Sequence, residues 1–205
     1  MWTKTYGGTN EERAYSLIET SDGYALAGYT SSNNADCWLV RTDVDGNMEW
    51  NKTYLNPESD TDWARSLVET SDGGYALAGT WDYEDWIYLG TGGPAKVHTG
   101  AFWLVKTDAT GNMEWNMTYG GGVIEEAFSV VAASDGGYAL AGVTTSFGVE
   151  GSDDFWLVKT DENGVAPVAP VAPEAAWVIL PLLAVATVSI FISKKKLLHN
   201  RSQER

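Results

Sequence analysis

The stretch SDGGYALAG at 71–79 is found again, unchanged, at 134–142, and one glycine shorter as SDGYALAG at 21–28. Glycine after Ser-Asp supplies the positive φ of a tight hairpin turn. The tyrosine and small apolar residues that follow predict a short buried strand. Working downstream, each copy is followed by a second shared run: CWLVRTDVDGN at 37–47, FWLVKTDATGN at 102–112 and FWLVKTDENG at 155–164. Working upstream, each is preceded by a carboxylate, a small residue and a serine: Glu12, Ala14, Ser16; Asp62, Ala64, Ser66; Glu125, Ala127, Ser129. Further upstream lie WTKTYGG from Trp2, WNKTYLN from Trp50 and WNMTYGG from Trp115. The self-match spans residues 2–164 and divides them into units 2–49, 50–114 and 115–164.

Each unit carries four strand-like runs, in the second unit Trp50–Tyr54, Ala64–Thr70, Tyr75–Thr80 and Phe102–Lys106. Four short strands in a repeat of about 50 residues predict an all-β fold of β-propeller-type four-stranded blades. Rings of this kind have about 4–8 blades, so three repeats predict an incomplete ring. The third unit ends at Gly164 without a W-x-x-x-Y strand of its own, and the Trp2–Tyr6 run is the segment expected to complete it. Two arrangements follow: the last blades of a longer ring, which is the preferred expectation, or half of a six-bladed homo-dimer. An open arc would leave sheet edges bare.

The segment DATGNMEW, Asp108 to Trp115, resembles the tryptophan-docking motif of quinoprotein-like propellers, one residue shorter than the usual Asp-x-x-Thr-Gly-x-x-x-Trp. Asp43 to Trp50 repeats it more weakly. The whole unit resembles repeats found in exported archaeal and bacterial surface proteins. The resemblance implies that Trp50 and Trp115 brace adjacent blades. It does not imply the quinone, because no recognisable cofactor-site residues accompany the motif, and no cofactor is expected.

The C-terminal forty residues differ in kind. VAPVAPVAP at 165–173 predicts an extended polyproline spacer, part of a linker over 165–174. Residues 175–193, AAWVILPLLAVATVSIFIS, carry no charge. At 1.5 Å per residue they span about 28 Å as a helix, the thickness of a bilayer core, and predict a single transmembrane span. Lys194, Lys195 and Lys196 begin a basic tail, 194–205, which the positive-inside rule places in the cytoplasm, with the repeat body extracellular. The segment is similar to archaeal sorting signals, but Pro173-Glu174 is followed by Ala175 where they carry Phe, so plain anchoring is expected. Export needs an N-terminal signal, yet Met1 is followed at once by Trp2 of the first repeat, so the start is read as N-terminally incomplete.

The 205 residues have a formal net charge of −15, and residues 1–165 alone hold eight basic and 26 acidic side chains. Such acidity excludes sequence-independent binding to nucleic acid phosphates. One cysteine, Cys37, excludes an intramolecular disulfide framework, and its place in the repeat is that of Phe102 and Phe155. His98 is the only histidine of the body, too few for the usual zinc sets. Carboxylates that recur in every unit are read mainly as turn-fixing groups. Asp43, Asp45 and Asn47 form the best candidate Ca²⁺ loop. The second unit carries an insertion, Trp81 to Gly100, in which Trp81, Tyr83, Trp86 and Tyr88 alternate with acids, a pattern suited to stacking on a sugar ring or to an extra hairpin. Asn51 and Asn116 are glycosylation sequons at equivalent positions. The expectation is a membrane-anchored, non-catalytic surface protein that binds carbohydrate or another cell-surface protein. The alternative is an exported glycan-active enzyme using a carboxylate pair.

Overall fold

The structure is a computed structural model and describes residues 1–32, 36–55, 61–88, 94–120, 124–148 and 152–167, with the backbone alone at 83–88 and 94–98. These residues are all-β: three antiparallel sheets and no helix. The first sheet holds β1 (Glu12–Thr20), β2 (Gly23–Thr30), β3 (Asp36–Asp43) and β4 (Met48–Tyr54). The second holds β5 (Thr61–Glu69), β6 (Tyr75–Tyr88), β7 (Pro94–Thr107) and β8 (Met113–Tyr119). The third holds β9 (Glu125–Ala132), β10 (Tyr138–Thr144) and β11 (Asp154–Lys159). Each sheet is a meander, with sequential strands paired side by side.

The sheets are offset from the sequence repeats by one strand. Trp50–Tyr54 opens the second repeat, yet it pairs with β3, with Arg41 opposite Trp50 and Cys37 opposite Tyr54. Trp115–Tyr119 likewise pairs with β7, Lys106 opposite Trp115 and Phe102 opposite Tyr119. The strand that begins each repeat along the chain therefore finishes the preceding sheet. The Trp2–Tyr6 run is not part of a strand and does not pair with β11, whose sheet has three strands.

Alternation along the strands gives each sheet two apolar faces. Ala25, Ala27, Cys37 and Leu39 of the first sheet meet Tyr75, Leu77, Trp103 and Val105 of the second. Ala76, Ala78, Phe102 and Leu104 on the other side of the second sheet meet Tyr138, Leu140 and Val158 of the third. The Ala-x-Ala spacing in YALAG keeps one face flat enough for the next sheet to approach. The middle sheet is thus covered on both sides. Burying a side chain such as Phe102 or Leu104, neither of which reaches solvent, stabilises by about 1.5–3 kcal/mol. Cys37 lies in this core as a Phe102 equivalent, and burial pushes its thiol pKa well up, so it is an inert packing residue.

All of these residues belong to one unit, Met1–Pro167. Among the described residues no helix is long and apolar enough to cross a membrane. The expected span at 175–193, the basic tail and the linker from 168 onward lie outside the described residues.

Candidate functional site

The first strand of each sheet contains a β-bulge at the same repeat position. Ala14 pairs with Gly28 and Ser16 with Ala27, which leaves Tyr15 as the extra residue. Ala64 pairs with Gly79 and Ser66 with Ala78, leaving Arg65. Ala127 pairs with Gly142 and Ser129 with Ala141, leaving Phe128. The facing glycine of YALAG is required by close approach. A methyl group at Gly28, Gly79 or Gly142 would lie 1.8, 1.8 or 1.9 Å from the carbonyl oxygen of Arg13, Trp63 or Glu126. The shared alanine, serine and glycine build the bulge, and the residue between alanine and serine is free to vary. Bulges re-aim side chains and recur beside functional sites.

Here the three bulge residues converge. The Arg65 guanidinium lies 5.7 Å from the Tyr15 ring centroid and 5.3 Å from that of Phe128. It also lies 5.3 Å from the Trp63 ring and donates to Glu126 Oε2 at 3.2 Å. Tyr15 stacks on Tyr29 at 6.2 Å, and Tyr29 meets Trp63 edge-on at 6.5 Å. Arg13 stands 6.0 Å over Tyr29. Tyr15 and Phe128 are 41% and 48% exposed, so two aromatic faces flank a half-buried cation at the surface. Arg65 Nε and Trp63 Nε1 are shut off from solvent and meet no acceptor among the described residues. Buried donors without acceptors are rare, and a ligand or water oxygen is the common remedy.

Serines flanking the bulges lock the sheets in register. The Leu67 N–H donates to Ser16 Oγ at 3.1 Å, and the Val130 N–H donates to Ser66 Oγ at 3.1 Å. The positions of Tyr15, Arg65 and Phe128 relative to one another are therefore tied down by these serine-to-backbone bonds.

The residues singled out from sequence fall as follows. Trp50 docks on Gly111, whose φ is +76, and meets Tyr75 edge-on at 5.9 Å. Trp115 docks on Gly164, φ +77, and meets Tyr138 at 5.8 Å. The Tyr54 hydroxyl donates to the Gly111 carbonyl at 2.8 Å, and Tyr119 to that of Gly164 at 2.6 Å. Both tryptophans thus brace the next sheet. Trp2 does the same on Gly46, φ +72, with Tyr6 donating to the Gly46 carbonyl at 2.8 Å.

In the candidate Ca²⁺ loop, Asp43 Oδ1 accepts the N–H groups of Asp45 and Asn47 at 2.9 and 2.8 Å. Its Oδ2 accepts Asn47 Nδ2 at 2.8 Å, and Lys4 Nζ donates to Asn47 Oδ1 at 3.0 Å. These bonds from Asn47 hold the Asp43 carboxyl pKa below its usual range. Asp108 repeats the arrangement with Asn112 and Thr110, and its pKa is lowered to about 2. The loops close hairpins, and a lysine already stands beside the first. Among the described residues no group of three or more His, Cys, Asp or Glu side chains is placed to hold a metal ion.

The aspartates of the SDG turns pair with the basic residue of WLVKTD: Asp22 with Arg41, Asp72 with Lys106 at 2.7 Å, Asp135 with Lys159 at 2.7 Å. Asn51 and Asn116 are exposed, and their Oδ1 atoms accept the indole N–H of Trp38 and Trp103 at 3.1 and 3.0 Å. Each amide nitrogen is the sequon's acceptor atom; that of Asn51 lies 3.4 Å from Met48 Sδ.

The insertion extends β6 and β7 into one long hairpin, paired from Trp81 opposite Ala101 to Tyr88 opposite Pro94. Trp81 packs against the core between the first and second sheets. Tyr83, Trp86 and Tyr88 occupy ladder positions opposite Thr99, Lys96 and Pro94, and their side chains lie outside the described residues.

Sequence reasoning missed Tyr15, Arg65 and Phe128. The signal was present but not unique: inside the carboxylate–x–Ala–x–Ser motif both x positions, Arg13/Trp63/Glu126 and Tyr15/Arg65/Phe128, differ in chemistry in every unit. No family model matches the chain, and no curated protein is significantly similar to it.

Proposed function

We propose that this chain is a non-catalytic recognition protein of the cell surface, with propeller-type blades carried outside the membrane by the 175–193 span. The observation that carries the proposal is the convergence of Tyr15, Arg65 and Phe128 from three repeating bulges. Identical scaffolding with divergent, partly exposed side chains is what a binding surface needs. The Trp50 and Trp115 docking contacts support the propeller reading. The ligand class that fits is carbohydrate. Aromatic faces stack on the apolar side of a sugar ring, and the guanidinium donates to hydroxyl or carboxylate oxygens. The local cation and aromatics stand out against the acidic body, so a mildly acidic glycan suits the site better than a cationic one.

The test is a glycan array probed with the full chain in mild detergent, alongside Arg65→Ala and the double variant Tyr15→Ala/Phe128→Ala. Arg65→Ala is expected to weaken binding at least tenfold, since a charged hydrogen bond is worth about 1.5–3 kcal/mol. Unchanged binding in both variants would refute the proposal. Binding of cell-surface protein but no glycan would replace the ligand class. Glycan hydrolysis lost in Glu126→Gln would replace recognition with catalysis. Trp81 is a poor probe, because its removal also opens the core.

A further inference from the structure

The three sheets stack in one direction by repeated contacts, and the two ends of the stack are left bare in complementary ways. At the first sheet, Leu17 is 61% exposed, whereas its equivalents Leu67 and Val130 are each 3% exposed against a preceding sheet. Beside it lies an open groove lined by Tyr6, Arg13, Leu26, Trp38 and Val40. At the third sheet, Phe155 and Leu157 are 105% and 70% exposed. Their equivalents Cys37, Leu39, Phe102 and Leu104 are all at 0% against a following sheet. The missing contact is already present once inside the chain. Phe102 lies 4.6 Å from Trp156, and the same pair across the open ends is Phe155 with Trp38.

The edge strand follows the same logic. β3 and β7 are each covered by a W-x-x-x-Y strand whose tryptophan then docks on the next sheet's turn. Trp2–Tyr6 is docked on the first sheet in that same manner, and among the described residues neither it nor the outer edge of β11 has a β-strand partner.

We infer that a second copy of this chain completes both ends: Trp2–Tyr6 of one copy adds to β11 of the other, and Phe155 of that copy fills the groove at Trp38. This continues the two interfaces already formed between the sheets, and it rests on the propeller reading above. The internal registers Leu39 opposite Lys52 and Leu104 opposite Met117 place Leu157 opposite Lys4 of the second copy. The Leu17 N–H then meets the Ser129 hydroxyl position, as Leu67 meets Ser16. A head-to-tail interface closes only at a definite number of copies. With three sheets among the described residues of each copy, two copies give six, inside the usual span of about 4–8 blades.

Single variants Lys4→Cys and Leu157→Cys, both at exposed positions, test this with the full chain in mild detergent and a short thiol-to-thiol cross-linker. Cys37 is buried and does not compete. A covalent product of two 22.2 kDa chains is expected from the mixture and not from either variant alone. No product in the mixture or equal product from a single variant would each overturn the inference, as would a ladder longer than two chains from the double variant Lys4→Cys/Leu157→Cys. Association through the 175–193 segments would not give the mixture-only pattern. Phe155→Asp, at a site already open to solvent, is expected to weaken self-association at least tenfold, and unchanged association would also overturn it. Glycan binding is read separately, so lost binding with intact cross-linking sinks only the recognition proposal.

Discussion

Replacing Gly111 with alanine isolates the energy of tryptophan docking, because the molecule supplies a matched control. Gly111 and Gly73 have nearly the same backbone, φ +76 and +80. Alanine in a left-handed conformation costs about 1–2 kcal/mol. Loss of unfolded-chain freedom offsets about 0.4–1 kcal/mol of that. Each substitution therefore costs about 1 kcal/mol from the backbone alone. At Gly73 the added methyl meets nothing closer than Ala109 Cβ at 3.8 Å. At Gly111 it would lie 2.6 Å from Trp50 Cζ3, 2.8 Å from Cη2 and 2.9 Å from Lys52 Cγ. Trp50 cannot retreat freely, because Tyr75 holds its other side. Overpacking of this kind costs about 1–3 kcal/mol, so Gly111→Ala is expected to lose about 2–4 kcal/mol in all. For a body of this size 1 kcal/mol shifts Tm by roughly 2–4 °C. Thermal and urea unfolding of the full chain, followed by tryptophan fluorescence, should place Gly111→Ala several degrees below Gly73→Ala. Coincident melting of the two variants would refute the docking argument.

Two further outcomes are expected. The Asp108 carboxyl is held at about 2 by Asn112 and Thr110, below the ordinary value near 3.9, so its ionised form stabilises the fold. That contribution is fully present above about pH 4 and is lost as pH falls through about 2. Asp108→Asn should therefore be less stable than the parent at pH 7, with the gap closing between about pH 4 and 2 in pH-resolved urea melts. Tyr54→Phe removes the donor to the buried Gly111 carbonyl and should cost about 1–3 kcal/mol in the same melts.

The strands and their hairpin turns were legible along the chain. SDGG and D-x-x-G-N are local devices, closed by bonds such as Gly74 N–H to Asp72 and Asn112 N–H to Asp108. The repeat frame was legible too, but not the sheet frame. Nothing in Trp50–Tyr54 itself states that it pairs backward with β3 rather than forward with β5. The glycine of YALAG lies inside a strand-like run with no reason visible along the chain, and its facing carbonyl appears only once β1 and β2 are paired. The aromatic insertion drew attention in sequence because it interrupts the repeat, yet Trp81 is spent on the core. Tyr15, Arg65 and Phe128 drew none, being single residues about fifty or sixty positions apart.

The sequence by itself determined the all-β character, the repeat and its turns, because these depend on hydrogen bonds and backbone conformations spanning a few residues. Only the tertiary structure decided which sheet each W-x-x-x-Y strand completes, that three bulges aim their extra side chains at one another, and which faces are left without a neighbour. Those are properties of sheets stacked through contacts far apart along the chain, where packing and not local propensity sets the geometry.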